Sequence, residues 1–262
     1  MTKVPDSHPR KNSLMSRERI VYGVSRGLLA DSAMIAHGRG EAFDYLIGER
    51  TTESAKLAIR EAAVRLLESK KPVISVNGNT VLLAGKGALR LAAVIGCPIE
   101  VNLYYRTPER VSGLLSMLEE LRTEVLGESP PEGFEGDWNE SVQGVNLLGD
   151  SPDFRIKGLE GPRSNCTEEG IGSADCILVP LEDGDRCEAL VSLGKEVIVI
   201  DLNPLSRSSK KATVTIVDEV SRAFDMILNE LVCNTEFLRE TWDNKEILRS
   251  SLEEITEFLN RL

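Results

Sequence analysis

The sequence predicts an α/β fold in which a mainly parallel sheet carries helices on both faces. Three observations carry that prediction. Short apolar, β-branched runs recur along the chain, stretches of helical periodicity about 10–15 residues long separate them, and polar or glycine-bearing loops stand where the runs end. Strands joined by helices imply right-handed crossovers and parallel pairing.

Taken in order, residues 13–30 read as an amphipathic helix capped by Ser13, with Leu14, Ile20, Val21, Val24 and Leu28 at helical spacing. A second helix is expected to begin within residues 37–46 and to stop near Gly48. Thr52 caps a third, whose buried stripe is Ala55, Ile59, Ala62, Ala63, Leu66 and Leu67. After Pro72 the period changes, and residues 73–76 read as a buried strand ended by the loop Asn77-Gly78-Asn79. Residues 86–96 then read as a helix and 99–103 as a strand, and Thr107 caps a helix through Val111, Leu114, Leu115, Leu118 and Leu121. Strands at 176–179, 196–200 and 212–217 follow, with a short helix at 188–193. From Ser221 the chain is helical, and Leu248, Leu252, Ile255, Leu259 and Leu262 form a 4-3-4-3 row that suits packing on the parent domain better than a coiled coil. The arrangement is Rossmann-like, in one domain over 1–262. It has an N-terminal helical part (1–70), an acidic surface insertion (127–153) and C-terminal helices (221–262).

A chain of 262 residues buries a sizeable core without disulfide or metal staples. Its 31 Lys+Arg against 42 Asp+Glu leave a net charge of −11, and the pI of about 4.9 argues against broad binding to nucleic acid or to an anionic membrane surface. A small anionic ligand held at one place remains compatible with that balance. No apolar run nears the roughly 18–20 residues of a membrane helix. The opening residues resemble no secretory signal, so a cytoplasmic location is expected. Cys97, Cys166, Cys176, Cys187 and Cys233 show no C-x-x-C spacing and are expected to stay reduced. His8 and His37 are the two histidines, which disfavours a His-rich zinc site. Any metal would be a hard cation carried by carboxylates and phosphates, and no protein ligand set is assigned to one. Residues 127–153 hold seven carboxylates and no Lys or Arg, so −7 of the −11 sits there, whereas the first 50 residues carry +2.

In an open α/β sheet, ligands bind beyond the carboxyl ends of the strands. Three such ends are polar: Asn77-Gly78-Asn79, the run from Asn102 to Arg106 and Arg110, and Asp201-Leu202-Asn203 leading to Arg207-Ser208. One polar loop alone reads equally as a turn, but three at one edge favour a site. The usual nucleotide signatures are missing, since Gly38-Arg39-Gly40 and Gly85-Lys86-Gly87 do not extend to G-x-G-x-x-G and Gly194-Lys195 lacks the Walker A hydroxyl. Gly38-Arg39-Gly40 reads either as a helix start whose N–H groups and guanidinium take a phosphate, or as a helix entry with a solvated arginine. Arg17 is open to the same two readings. His37 reads as a general acid/base or as a satisfied structural histidine. Glu182, Asp183 and Asp185 either hold Mg²⁺ near phosphates or form a turn with Gly184 at positive φ. Two histidines and no G-x-S-x-G leave a hydrolase triad unsupported.

These stretches resemble the archaeal phosphopantothenate synthetases, also called 4-phosphopantoate–β-alanine ligases. The resemblance rests on Pro5-Asp-Ser-His-Pro-Arg10, Ile35-Ala-His-Gly-Arg-Gly-Glu-Ala-Phe-Asp-Tyr-Leu46, Pro72-Val-Ile-Ser-Val-Asn-Gly-Asn79, Glu100-Val-Asn102 and Arg106-Thr-Pro-Glu-Arg-Val111. It continues through Val179-Pro-Leu-Glu-Asp-Gly-Asp-Arg186, Ile200-Asp-Leu-Asn-Pro-Leu-Ser-Arg207 and Thr215-Ile-Val-Asp218, and so spans nearly all of 1–225. It implies a cytoplasmic homodimer of coenzyme A biosynthesis. The enzyme would condense (R)-4-phosphopantoate with β-alanine while converting ATP to AMP and pyrophosphate through an acyl-adenylate. By the family pattern, Arg17 and Arg39 are ATP contacts, with Asp201, Leu202, Asn203, Arg207, Ser208, Glu219 and Val220 the other nucleotide positions. Arg39 and His37 are the catalytic candidates, and Asn77, Asn79, Asn102, Arg106 and Arg110 are inferred for phosphopantoate. ATP, with Mg²⁺, is the expected co-substrate. Ser208 stands where Thr is frequent in the family, and 127–153 looks like an insertion. The alternative of a different class is a non-catalytic nucleotide or coenzyme A sensor on the same scaffold.

Overall fold

A computed structural model describes residues 4–233 and 241–259. Two helices open the chain, α1 (Lys11–Ser25) and α2 (Ser32–Leu46), and they pack on each other. Helix α3 (Glu53–Glu68) follows Thr52, whose side chain accepts the Ala55 N–H as expected. Then come β1 (Pro72–Val76), α4 (Gly78–Ile95), β2 (Ile99–Val101), α5 (Pro108–Leu126), α6 (Trp138–Gln143) and β3 (Leu147–Leu148). A small antiparallel pair, β4 (Phe154–Arg155) and β5 (Asn165–Cys166), precedes β6 (Cys176–Pro180), α7 (Gly184–Ser192), β7 (Glu196–Ile200), α8 (Arg207–Lys211), β8 (Val214–Ile216), α9 (Val220–Cys233) and α10 (Asn244–Leu259). Leu262, the last member of the expected 4-3-4-3 row, lies outside the described residues, as does the Leu259 side chain.

The α/β prediction holds. Six strands form one parallel sheet in the order β3-β2-β1-β6-β7-β8. The chain works outward from β1 to one edge, returns to lay β6 beside β1, and works outward to the other. Side chains alternate across the pleat. Ile74, Val76, Leu178, Ile198 and Ile200 join the core with α3, α4, α5 and α9, while Val73, Ile177, Val179, Val197 and Val199 join a second core with Cys187 and Leu190 of α7. No described helix is long and apolar enough to cross a membrane.

Several boundaries differ from the sequence expectation. Helix α1 starts at Lys11 after Arg10, so Ser13 lies inside it and donates its hydroxyl to Glu41 instead of capping. Leu67 is 45% exposed, outside the α3 stripe. Helix α4 begins directly after β1, because Asn77 is itself the N-cap, accepting the Thr80 N–H at 3.0 Å. Helix α2 begins at Ser32, so Gly38, Arg39 and Gly40 lie mid-helix with their N–H groups inside the ladder, not at an exposed helix start.

The largest correction concerns 127–153. Acidic, Pro- and Gly-bearing sequence reads as a solvated loop, yet Trp138, Val142 and Val145 are buried in the main core, and Leu147 and Leu148 pair with Ile99 and Glu100 as the sheet's edge strand. The charges are placed around this packed strip. Asp137 caps α6 by accepting the Glu140 N–H at 2.9 Å, and Glu128 pairs with Arg90. Gly149 closes β3 at φ 126°, where a Cβ would sit 2.5 Å from the Val101 carbonyl oxygen.

Candidate active site

The chain's reversal between β1 and β6 leaves a crevice at the strands' carboxyl ends, and a cavity of about 410 Å³ lies there. Five strands feed it. Asn77, Gly78 and Asn79 follow β1, Tyr104, Tyr105 and Arg110 follow β2, Leu181 follows β6, Leu202 follows β7, and Glu219, Val220 and Arg222 follow β8. Helices α1 and α2 roof it with Ser13, His37, Glu41 and Asp44, together with Arg10 just before α1.

Local structure fixes these positions. Asn77 Nδ2 donates to the carbonyls of Pro180 (3.3 Å) and Leu181 (3.0 Å), stitching β1 to β6 across the reversal. Leu181 sits at φ 55°, a strained left-handed conformation for a leucine, held by that bond and by its own N–H on Ile200 O at 3.0 Å. A Cβ at Gly78 would collide with the buried Leu29 side chain, so glycine lets the loop after α1 seat against the start of α4. The first N–H groups of α4 precede any intrahelical bond and face the cavity beside Asn79 and Arg110, a setting that suits an anion.

The roof carries a dense set of charges. Glu41 accepts from Arg17 Nε (2.9 and 3.0 Å), Arg10 (3.1 Å) and the Ser13 hydroxyl. Arg222 bridges Asp44 (3.2 Å) and Asp218 (2.7 and 3.0 Å), and Thr51 donates to Asp218 at 2.6 Å. Burial pushes the Asp44 and Asp218 carboxyls up against the opposing pull of Arg222. Burial works against the Arg222 charge as well, and the two carboxylates outweigh it and push the guanidinium up. His37 Nε2 is buried without a hydrogen-bond partner, and desolvation lowers the imidazole below its ordinary value against the opposing fields of Glu41 and Glu219. The ring is therefore neutral at pH 7 and has a lone pair to accept a proton.

Seven of the expected site residues line the cavity: His37, Asn77, Asn79, Arg110, Leu202, Glu219 and Val220. Arg17 reaches it through Glu41. Arg39 is exposed on α2 and acts on Asp201, whose carboxyl burial pushes up while Ser206, the Asn203 N–H and the Arg39 charge pull it down. A Cβ on Gly40 would lie 3.6 Å from Leu202, which shows how closely α2 approaches the β7 loop. Asn203 accepts the Leu205 N–H at 2.9 Å. The remaining expected residues do not line the cavity. Arg207 pairs with Asp185 and Glu188, and Ser208 donates to Glu182 O at 2.6 Å. Asn102 donates to Asn165 O at 2.9 Å, and Arg106 donates to Gly149 O, bracing β2 against its neighbours.

The acidic trio after β6 does not fit a cation. Asp183 caps α7 and meets Arg163, Asp185 pairs with Arg207, and Glu182 pairs with the buried Arg186, so arginines occupy its oxygens. The positive φ of that turn falls on Leu181 and not on Gly184. Among the described residues no group of three His, Cys, Asp or Glu is placed to hold a metal. Burial pushes the Cys97, Cys166, Cys176 and Cys187 thiols up to about 12, which removes them as nucleophiles at neutral pH.

Sequence reasoning assigned no role to Arg10, Glu41, Asp44 or Arg222. One signal was available, because Ser13 and Arg17 are spaced four apart and so share a helix face.

Comparison with known proteins matches residues 54–258 to the family model described as phosphopantothenate/pantothenate synthetase. A protein of Thermococcus onnurineus (strain NA1) named 4-phosphopantoate–beta-alanine ligase is 46% identical over all of this chain and 95% of its own length. Proteins of the same name are 44% identical in Thermococcus kodakarensis, over 100% of this chain and 95% of theirs, and 43% identical in Methanosarcina mazei, over 100% and 98%.

Proposed function

The chain belongs to the phosphopantothenate/pantothenate synthetase family, and from that premise we propose that its strand-end cavity joins 4-phosphopantoate to β-alanine at the expense of ATP. The observation that carries this reading is a single cavity fed by five strand ends, with an anion-ready helix start at one side and the β7–β8 edge at the other. A purely nucleotide-binding sensor is disfavoured by end-to-end similarity to proteins named as ligases.

In this reading the 4-phosphate of phosphopantoate lies at the start of α4, taken by its free N–H groups, Asn79 and Arg110. ATP lies along Asp201, Leu202, Asn203, Glu219 and Val220, with Arg17 and Arg39 on its phosphates. A pantoate carboxylate oxygen attacks the α-phosphorus, the bond to the bridging oxygen breaks, and pyrophosphate leaves. The β-alanine nitrogen then attacks the acyl carbon, AMP leaves, and neutral His37 takes the proton the nitrogen sheds. Such a sequence requires in-line positioning and charge neutralisation and no protein nucleophile. Mg²⁺ is expected to accompany ATP. Because no carboxylate set of the described residues fits it, no step is assigned to it.

Incubation with ATP, 4-phosphopantoate and β-alanine is expected to release AMP and pyrophosphate with phosphopantothenate. Release of ADP and phosphate would overturn the adenylate route, and ATP binding without AMP release would favour the sensor. Because the His37 pKa is depressed, kcat/KM for β-alanine should stay flat from pH 7 down to about 6.5 and fall only below that. His37→Gln should lower activity and abolish that acid limb, whereas an unchanged limb would exclude His37 as the proton acceptor. The same depression makes the folded chain bind fewer protons than the unfolded one, so this contribution to stability is present above about pH 6.5 and lost as pH falls through the folded pKa.

Dimerisation is part of the proposal. Val21, Tyr22, Met34, Ile35 and Tyr45 are exposed on α1 and α2, with Ile35 at 68%, and a partner copy packed on these two helices would cover them. A solution mass equal to one 28.8 kDa chain would refute it.

A further inference from the structure

The proposed reaction does not use the carboxylate on which the roof converges. Ser13 and Arg17 share one face of α1, Arg10 stands at the N-cap just before them, and all three donate to Glu41 of α2. Glu41 lines the cavity one turn beyond His37, and its side chain is only 14% exposed. Burial would raise its carboxyl, yet Arg17, Ser13 and Arg10 together hold it below the ordinary carboxylate value, so it is ionised at neutral pH.

Arg17 is bound one-sidedly. A guanidinium has five N–H donors in a planar fork. Arg17 directs Nε at both Glu41 oxygens and NH2 at the Tyr45 hydroxyl (3.4 Å), and its NH1 end has no partner among the described residues. Its side chain is 44% exposed, so without Glu41 it would sample many rotamers. Arg10 makes the clamp rigid by bonding Glu41 and Glu49 while lying 4.4 Å from the Tyr45 ring centroid.

We propose that Glu41 is a positioning residue: it fixes the Arg17 guanidinium by its Nε edge so that the opposite edge is presented to the nucleotide phosphates. The inference rests on the reading that Arg17 contacts ATP. A clamp that only joined α1 to α2 would also cost stability when broken, so the test has to read nucleotide affinity separately from folding. The charge makes the direction informative. Removing an anion near a triphosphate would by itself tighten ATP binding, whereas losing the presentation of Arg17 weakens it.

The experiment is a double-mutant cycle on the full chain, with KM for ATP and for 4-phosphopantoate measured on each variant and folding checked by thermal unfolding. Glu41→Ala is expected to raise KM for ATP about ten- to hundredfold and to leave KM for 4-phosphopantoate near that of the parent. Glu41→Gln, which keeps an acceptor oxygen, should recover part of the loss and serves as the readout if the alanine variant folds poorly. Once Arg17→Ala is present, adding Glu41→Ala should raise KM for ATP no further. An unchanged or lower KM for ATP in both Glu41 variants overturns the proposal while leaving Arg17 as a contact. A parent-like KM in Arg17→Ala overturns the underlying reading, and the proposal with it. Equal rises in both KM values identify a structural clamp and also overturn it.

Discussion

Arg39→Ala is expected to lower kcat/KM for ATP by about 10²–10³-fold, the usual cost of removing one preorganised donor from developing negative charge. Stability should stay within about 0.5 kcal/mol of the parent. The two expectations belong together. Arg39 is exposed and has no hydrogen bond or ion pair among the described residues, so the fold loses no such bond with it. It nevertheless stands on α2 between His37 and Glu41, and its charge is felt at Asp201 across the closely packed Gly40 and Leu202. A solvated arginine kept in that place without a structural partner is free to meet a ligand. Arg39→Lys should recover only part of the loss, because an ammonium keeps the charge without the bidentate fork. Steady-state kinetics alongside urea unfolding separates the outcomes, and parent-like turnover in Arg39→Ala would remove the residue from the reaction.

Trp138→Ala should cost about 3–5 kcal/mol, the range for truncating a buried large aromatic. The indole is 6% exposed, donates from Nε1 to Val125 O at 3.4 Å and meets Phe134 edge-on at 5.3 Å. If 127–153 were a solvated loop, the change would fall within about 0.5 kcal/mol. Denaturant unfolding of the two proteins decides between them.

That segment also shows where sequence reading lost its grip. Seven carboxylates and a Pro-Pro pair dominate any local average, whereas burial depends on a few residues, Trp138, Val142 and Val145, that dock onto α4 and α5. Strands at the sheet centre were legible because β-branched runs buried on both faces leave little else to be. The start of α4 was not, since Asn77-Gly78-Asn79 reads as a turn although asparagine is also a strong N-cap. Gly38 and Gly40 misled in the opposite sense, looking like a helix entry inside a helix already six residues old. At the cavity, the polar strand-end residues Asn77 and Asn79 were legible from the rule that such ends bind ligands, and Leu202 from the family resemblance; all three line it. The Asp44–Arg222 pair could not be found, because its members lie 178 positions apart and only the folded chain brings them together.

The same pair has a consequence for biosynthesis of the protein itself. Part of the cavity lining comes from residues 9–49 and part from 219–222, which follow the last strand of the sheet, and Arg222 joins the two by its bond to Asp44. A nascent chain emerging from the ribosome therefore exposes the roof helices long before Arg222 exists to pair with Asp44, and the lining of the cavity is complete only once residue 222 has been made.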